Sequence, residues 1–439
     1  MNYRHLTAAV LLMSVIFNTQ ADSLQLRIHG SNTLGSQLVP ELIHSWLENK
    51  GYSQAKMEKG KELAKIQAES GDGSRIEVLI ESKGSSTGFK GLQQGSADLG
   101  MSSRRIKKQE ITVLSSMGDM TSVENESVVA LDGIAVIVHP DNPLTKLSKS
   151  QIRDIFAGSI SDWEKVGGLP GSIHLYARDN QSGTYQVFNS LVLGKKTSLS
   201  NKAKRFTDNT ELSGEVSNDP LGIGFVSMPN ILDSKALTIS DGEAPAIAPN
   251  RFSVATEDYS LSRRLYIYAP KQASANPLAL DFMDYIQSDS AQNTVSQVGF
   301  VTQQIFTSTN EPGKHYPQAM RELVVGATRL SVNMRFDERT VFLDSKAKRD
   351  ADRVYSYLSE TDKLKDGVML FGFAENKPDG VRNISFNRSI RRADQVAKYL
   401  SKKGVSVATS RGYGGTAPVA SNETTLGQQK NRRVELWIK

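Results

Sequence analysis

Apolar positions in residues 24–270 alternate between short continuous runs and stretches with helical spacing. The runs have the length of buried strands, and they lie at 24–28, 76–80, 97–101 and 173–177. Between them, as in 38–47 and 187–192, apolar residues recur every three or four positions, which predicts helices. Strands that alternate with helices favour an α/β architecture with parallel sheets.

Two further apolar runs, 133–138 and 265–269, predict strands that cross between two lobes. They bracket a second lobe at about 135–265, so the first lobe is expected to form from both ends of residues 22–307. A small ligand commonly binds in a cleft between two such lobes, and closure about the crossing strands is the expected motion.

A change of composition at 308–328, which includes Glu-Pro-Gly and Tyr-Pro, predicts a linker. Residues 329–439 then begin with alternating apolar residues and continue with two helical patterns and three apolar runs. We interpret this last part as a small α+β sandwich, of normal size for a separate domain.

Three short segments place Gly, Ser and Thr directly before a predicted helix. They are Gly30-Ser31-Asn32-Thr33, Gly84-Ser85-Ser86-Thr87-Gly88 and Arg178-Asp179-Asn180-Gln181-Ser182-Gly183-Thr184. Any one of them alone is typical of a helix cap. If the three converge, their amides, hydroxyls, helix N-termini and one guanidinium predict a binding site for a small anion.

Charge and the first residues favour an exported protein. The net charge is +6, with +9 in residues 326–439 and −3 in the rest. Residues 1–21 combine Arg4, a short apolar run and a small residue, Ala21, which predicts a cleaved secretory signal. We therefore expect a protein of the periplasm or cell envelope, with no transmembrane segment in the mature chain. An acidic envelope polymer is a more natural partner for the basic domain than nucleic acid.

The chemistry-bearing residues do not suggest an enzyme. The chain has no cysteine, and none of its six histidines is paired at metal-ligand spacing. Ser182 has no histidine or lysine near it in sequence to act as a base. We expect no catalytic residue, no metal site and no cofactor.

Residues 24 to about 305 resemble the periplasmic phosphate-binding proteins that deliver phosphate to ABC importers. The segments that carry the resemblance are Gly-Ser-Asn-Thr at 30–33, Lys-Gly-Ser-Ser-Thr-Gly-Phe-Lys at 83–90, Ala-Asp-Leu-Gly-Met-Ser-Ser-Arg at 97–104, Ile-Phe-Ala-Gly-Ser-Ile-Ser-Asp-Trp at 155–163, residues 178–184 and Gly-Ile-Gly-Phe-Val at 222–226. The resemblance implies a two-lobed periplasmic-binding-protein fold of type II-like topology, with inorganic phosphate as the ligand.

The resemblance also implies which residues hold the anion. These residues are Ser31, Thr33, Leu34 through its amide, Ser85, Ser86, Ser103, Arg178, Ser182, Gly183 and Thr184. Ser103 stands where many relatives have an aspartate, which accepts the proton of hydrogen phosphate. A serine can donate or accept, so this position leaves open whether phosphate or a similar oxyanion is preferred.

Residues 329–439 resemble the OmpA-like domains that hold peptidoglycan. The resemblance is carried by 389–400, by Gly-Tyr-Gly-Gly-Thr-Ala-Pro-Val-Ala-Ser-Asn at 412–422 and by Asn-Arg-Arg-Val-Glu at 431–435. It implies that Arg392 and an acidic residue grip the stem peptide. The acidic position falls on Glu375 in Gly-Phe-Ala-Glu, where the family has Gly-His-Thr-Asp.

Together these features predict an exported oxyanion-binding protein tethered to peptidoglycan, which captures phosphate for uptake or sensing and works with an ABC importer or a sensor protein. The alternative is a structural envelope protein, whose binding lobe docks a protein partner and whose C-terminal domain anchors it to the wall.

Overall fold

One sheet of eleven strands runs through both lobes of residues 24–270. The computed structural model describes residues 24–60, 62–180, 182–270, 276–309, 311–337, 340–376 and 382–439. The predicted signal at 1–21 lies outside them. The strands as far as residue 309 are β1 (Leu24–Gly30), β2 (Tyr52–Lys59), β3 (Leu63–Ser70), β4 (Arg75–Glu81), β5 (Leu99–Ser102), β6 (Glu126–Val138), β7 (Lys146–Ser148), β8 (His174–Arg178), β9 (Lys204–Phe206), β10 (Gly222–Ser227), β11 (Lys235–Ala236), β12 (Thr238–Ser240), β13 (Ser262–Tyr268) and β14 (Thr307–Ser308).

Helices cover this sheet on both sides. They are α1 (Val39–Asn49), α2 (Ser85–Gln94), α3 (Lys108–Val113), α4 (Lys149–Phe156), α5 (Gly183–Phe188), α6 (Asn209–Asn218), α7 (Arg251–Ala255), α8 (Pro277–Tyr285) and α9 (Asp289–Gln297). Single π-helical turns at Leu34–Leu38 and Asn189–Leu193 adjoin α1 and α5, and short 3₁₀ turns cover Ser115–Met117, Trp163–Val166 and Met228–Asn230. The fold is therefore the expected α/β architecture.

The order of strands in the sheet is β2-β3-β4-β1-β5-β13-β6-β10-β8-β9, with β11 also paired to β6. In the first lobe β1 lies parallel between β4 and β5, and in the second lobe β8 lies parallel between β10 and β9. The two central strands, β13 and β6, pair antiparallel and join the lobes. They are the crossing strands that the sequence predicted. Strand β6 begins earlier than its predicted run at 133–138, because the buried Asp132 separates that run from the apolar residues before it.

Each lobe has its own core. In the first lobe the edge of the Trp46 ring packs against Phe282, with ring centroids 5.4 Å apart. In the second lobe Phe188 stacks on Phe225 at 3.8 Å, and Phe156 packs edge-on against both rings. The hairpin of β2 and β3, which the sequence pattern did not predict, extends the first sheet at its edge.

Strands β7 and β12 pair as a small separate sheet, and β14 with the remaining chain forms a five-stranded sheet in the order β14-β15-β18-β16-β17. Its elements after residue 309 are α10 (Gln318–Leu323), β15 (Thr328–Met334), α11 (Ser345–Glu360), β16 (Val368–Phe373), α12 (Arg382–Lys402), β17 (Val407–Gly412), α13 (Thr425–Asn431) and β18 (Arg433–Ile438). The apolar faces of α11 and α12 pack on one side of this sheet. The result is the predicted α+β sandwich.

Residues 308, 309 and 311–328 differ from the predicted linker, because they are folded onto the C-terminal sheet. Thr307 pairs with Leu330, which makes β14 an edge strand of that sheet. Farther along, Tyr316 and Met320 are buried against Trp437 on the face opposite α11 and α12. The proline and glycine residues correctly indicated turns in this segment. The prediction of a linker nevertheless missed α10 and its buried apolar face.

The C-terminal domain is docked across both lobes by charged and polar contacts. Asp337 pairs with Arg105 of the first lobe at 3.2 Å, and Asp344 pairs with Arg264 of β13 at 2.7 Å. On the side of the second lobe, Arg329 pairs with Asp258 at 2.8 Å. Because the C-terminal domain is held at these three points, it opposes separation of the two lobes.

Lys430 is a partly buried cation of this interface. Its ammonium donates to the carbonyl oxygens of Glu257 and Tyr259 and to Ser262 Oγ, at 3.0, 2.9 and 2.6 Å. Burial lowers its pKa from 10.5 to about 7, with Arg335 and Lys149 acting in the same direction and Glu257 and Asp258 against it. Near pH 7 the docked Lys430 is therefore divided between the ammonium and the neutral amine, and above pH 7 the neutral amine dominates.

The folded segment before β15 generates a first prediction. Met320→Ala removes a fully buried side chain, so we expect a loss of about 2–5 kcal/mol in the free energy of unfolding, measured by urea denaturation with Trp fluorescence. Val325→Ala is the matched control, since Val325 is 76% exposed and should change stability by less than about 0.5 kcal/mol. Equal midpoints for the two variants would show that this segment does not pack as described.

The buried ammonium generates a second prediction, on pH. Between about pH 7 and 10.5 the unfolded chain binds a proton at Lys430 that the folded chain lacks, so this group makes unfolding costlier as pH rises, by up to about 1.4 kcal/mol per unit. Below pH 7 both states are protonated and the slope disappears. Thermal melts of wild type and Lys430→Met at pH 6 to 9 measure this dependence. Above pH 7 the melting temperature of the wild type should rise relative to that of the variant. A difference that stays constant with pH contradicts the prediction.

Candidate anion site

The carboxyl ends of three parallel strands, β4, β1 and β5, meet at one edge of the first lobe. Gly84 N–H donates to Gly30 O at 2.7 Å, and Ser31 N–H donates to Met101 O at 3.0 Å. Gly30 has φ +140°, and a Cβ on it would lie 2.0 Å from Met101 O. Only glycine permits this approach, so the first two predicted loops and the end of β5 are held together.

Two buried hydroxyls lie between these loops. Ser103 N–H donates to Ser85 Oγ at 3.1 Å, and the two Oγ atoms are 3.3 Å apart. Ser85 is also the first residue of α2, whose N-cap position is Gly84 and has no side-chain cap. The N-terminal amides and the dipole of α2 are therefore directed toward this edge, which favours an anion there.

The third loop belongs to the other lobe and reaches the same place. Ser182 Oγ caps α5 by accepting the N–H of Tyr185 at 3.4 Å. A Cβ added to Gly183 would lie 2.2 Å from Thr33 Oγ1 and 3.6 Å from Ser103 Oγ. The two lobes thus touch through a glycine and two hydroxyl side chains, and the cleft is closed at this point.

Arg263, which the sequence reasoning did not single out, secures the third loop. Its Nη1 donates to Gly183 O at 2.9 Å, and its Nη2 lies 3.4 Å from Thr184 Oγ1. Nε and Nη2 both bond to one carboxylate oxygen of Asp132, at 2.9 and 2.6 Å, and Ser227 Oγ donates to the other. This buried guanidinium is held in one orientation beside the first residues of α5.

Arg178 lies near the loops, but its guanidinium is directed along its own sheet edge. Nε donates to Phe206 O at 3.3 Å and Nη2 donates to Thr207 O at 2.7 Å. Among the described residues, no hydrogen bond joins it to the first or second loop. Burial lowers the pKa of Arg178, and the positive charge of Arg263 lowers it further. The carboxylates of Asp179 and Asp208 act in the opposite direction. A partly desolvated cation near a second cation is stabilised by an anion.

The other predicted residues divide into two groups. Ser31 and Leu34 are buried in the first loop, and Ser31 Oγ has no hydrogen-bond partner among the described residues. A buried hydroxyl without a partner costs about 1–3 kcal/mol, which an oxyanion at this position would offset. Ser86 differs, because its Oγ accepts from Arg104 Nη2 at 3.0 Å, while Arg104 forms a two-point ion pair with Glu110.

The predicted peptidoglycan residues form a second, separate pocket of about 670 Å³. Glu375 is buried and pairs with Arg392 at 3.2 Å and with Arg388 at 3.3 Å, while Arg432 lies 3.7 Å away. Arg391 also lines this pocket. One carboxylate among four guanidiniums leaves the pocket with an excess of positive charge, which suits a ligand that carries carboxylates.

The described ranges contain no cluster of three or more His, Asp or Glu side chains that could hold a metal ion. None of the helices in those ranges is long and apolar enough to cross a membrane. The groups that do converge are hydroxyls, amides and guanidiniums, and their chemistry is that of anion binding.

Comparison with known proteins agrees with both halves of the fold. Residues 44–290 match the PBP superfamily domain, and residues 335–432 match the OmpA family. The phosphate-binding protein PstS of Pseudomonas aeruginosa is 29% identical over 244 residues, which cover 52% of this chain and 74% of that protein. Protein SphX of Synechococcus elongatus is 28% identical over 237 residues, which cover 52% of this chain and 69% of SphX.

A solved structure has the same two-lobed fold. The ABC-type phosphate transport receptor from Vibrio cholerae superimposes with a TM-score of 0.50 at 23% identity, covering 63% of this chain and 99% of the receptor. The likeness at this identity concerns the fold. The relatives above show that the chain is similar to PstS phosphate-binding proteins. The family matches show that the chain belongs to the PBP superfamily and carries a domain of the OmpA family.

Proposed function

We propose that the two-lobed domain at 22–307 binds inorganic phosphate and closes around it. The observation that carries this proposal is the meeting of Thr33, Ser85, Ser103 and Gly183, from three loops and two lobes, beside the fixed guanidinium of Arg263. Hydroxyls, uncapped helix amides and a buried cation complement a tetrahedral oxyanion. The phosphate-binding relatives support the choice of anion.

Arg178, Ser182 and Thr184 complete the proposed site on the second lobe. Ser182 and Thr184 flank the glycine at the point of closure, and both are buried. Arg178 contributes charge, since two carbonyl groups hold its guanidinium in place. The role is that of a receptor, which the phosphate-binding relatives support.

We also propose that the C-terminal domain at 329–439 holds the protein to peptidoglycan. The support is the pocket around Glu375 and Arg392, whose excess of guanidinium groups can pair with the carboxylates of stem peptides. The protein would then be a wall-tethered phosphate receptor of the periplasm or cell envelope, which supplies an ABC importer or reports to a sensor protein.

Gly183→Ala tests phosphate binding. The added methyl group would lie 2.2 Å from Thr33 Oγ1, so we expect the lobes to be held apart and phosphate affinity to fall at least tenfold in titration calorimetry. Gly214→Ala is the matched control in the same lobe, because a Cβ there meets nothing within 4 Å. Sulfate, titrated in parallel, measures the selectivity that Ser103 leaves open. If wild type binds no phosphate, or both variants bind it equally well, the proposed site is refuted.

Glu375→Gln tests the tether. Loss of the carboxylate removes the anchor that holds three guanidiniums in position for a ligand, so we expect co-sedimentation of the full chain with isolated sacculi to fall at least fivefold. Glu360→Gln, an exposed acid on α11 of the same domain, should sediment like wild type. Unchanged sedimentation of the first variant, or no sedimentation of wild type, would remove peptidoglycan as the ligand of this pocket.

A further inference from the structure

A cavity of about 340 Å³ lies beside the anion loops and is walled by three parts of the molecule. The two lobes contribute Ser85, Ser103 and Arg263, and the docked C-terminal domain contributes Phe336, Leu426 and Lys430. Pockets in the range of about 300–1,000 Å³ hold small organic molecules. The space next to the loops therefore suits a larger ligand than a lone tetrahedral ion.

Two of the predicted anion residues, Ser85 and Ser103, border this space. Contact between Gly183 and Thr33 closes the cleft on one side, while Ser85, Ser103 and Arg263 border the cavity on the other. An oxyanion held by these groups would have one side free of protein. A phosphomonoester fits this arrangement, because its ester oxygen carries an organic group. That group requires space at the open side and does not require a hydrogen-bond donor there.

The apolar part of the lining is suited to that organic group. Leu191 and Tyr266 from the binding domain and Phe336 and Leu426 from the C-terminal domain present apolar surface. Such surface stabilises an apolar group by about 25 cal/mol for each Å² removed from water. Inorganic phosphate could make no use of it.

The cationic lining suits the charge of a phosphomonoester. Arg264 is neutralised by Glu257 and Asp344, but Lys430 donates only to neutral oxygens and has no carboxylate within ion-pair distance among the described residues. In its ammonium form, which a bound anion favours, all three N–H donors of Lys430 are in use, so the side chain supplies charge and no further hydrogen bond. A phosphomonoester carries about −1.5 to −2 charges at pH 7, which this field attracts.

We propose that the ligands of this site include phosphomonoesters, with the phosphate at the loops and the organic group in the cavity completed by the C-terminal domain. This inference rests on the proposed phosphate site and extends it. It makes the docked domain part of the recognition surface, so that Phe336 and Leu426 are specificity residues although they lie outside the periplasmic-binding-protein fold.

Titration calorimetry on the full chain tests this with inorganic phosphate and phenyl phosphate. We expect wild type to bind phenyl phosphate at least tenfold more tightly than inorganic phosphate. Leu426→Trp fills the cavity from the C-terminal side, and since Leu426 is 43% exposed, the larger ring requires no repacking of a core. This variant should lower the affinity for phenyl phosphate at least tenfold and leave the affinity for inorganic phosphate within twofold of wild type.

Leu169→Trp, on an exposed turn of the second lobe, is the matched control and should bind both ligands like wild type. Binding of phosphate with weaker or no binding of phenyl phosphate overturns the inference and leaves the proposed function intact. Equal losses for both ligands in Leu426→Trp also overturn it. Failure of wild type to bind either ligand refutes the phosphate site itself, and the inference falls with it.

Discussion

The ion pair between Arg263 and Asp132 connects the hinge to the ligand loops. The two residues lie opposite each other on β13 and β6, the strands that join the lobes, and both side chains are almost completely buried. The same guanidinium also donates to Gly183 O. Loss of one partner of such a pair leaves an uncompensated buried charge, at a cost of about 3–5 kcal/mol. The geometry of the hinge and the position of the third loop are consequently set by one interaction.

The C-terminal domain adds a second constraint to the same hinge. It bonds to Arg264, the next residue along β13, and also reaches the first lobe at Arg105 and the second at Asp258. Opening the cleft by rotation about β13 and β6 would have to break or stretch some of these contacts. Closure of the lobes and docking of the domain therefore support each other, which is a physical reason for finding the closed cleft and the docked domain together.

Local patterns in the sequence were sufficient for the strands that lead into the three loops, for the two strands that join the lobes and for the loops themselves, because strand length, helical spacing and Gly/Ser/Thr clusters are visible over a few residues. They were insufficient where a partner is distant. The role of Arg263 can be recognised only from its contact with Asp132, which lies 131 positions earlier in the chain. The polar residues of β6 likewise become intelligible only once their partners are known. The edge hairpin of β2 and β3 is half exposed and so lacks a continuous apolar run. Met320, in the expected linker, has its apolar partners in β16 and β18.

The two pockets share a structural element even though their proposed ligands differ. The ring of Phe336 borders the cavity beside the anion loops, and the guanidinium of Arg392, at the other pocket, lies over that ring with its carbon 5.5 Å from the centroid. Next to it, Asp337 bonds to Arg105 of the first lobe. Because protein interiors are close-packed, a ligand that moves Arg392 must also disturb the wall formed by Phe336. The proposed peptidoglycan site and the proposed anion site thus meet at one aromatic side chain, through direct packing and over a short distance.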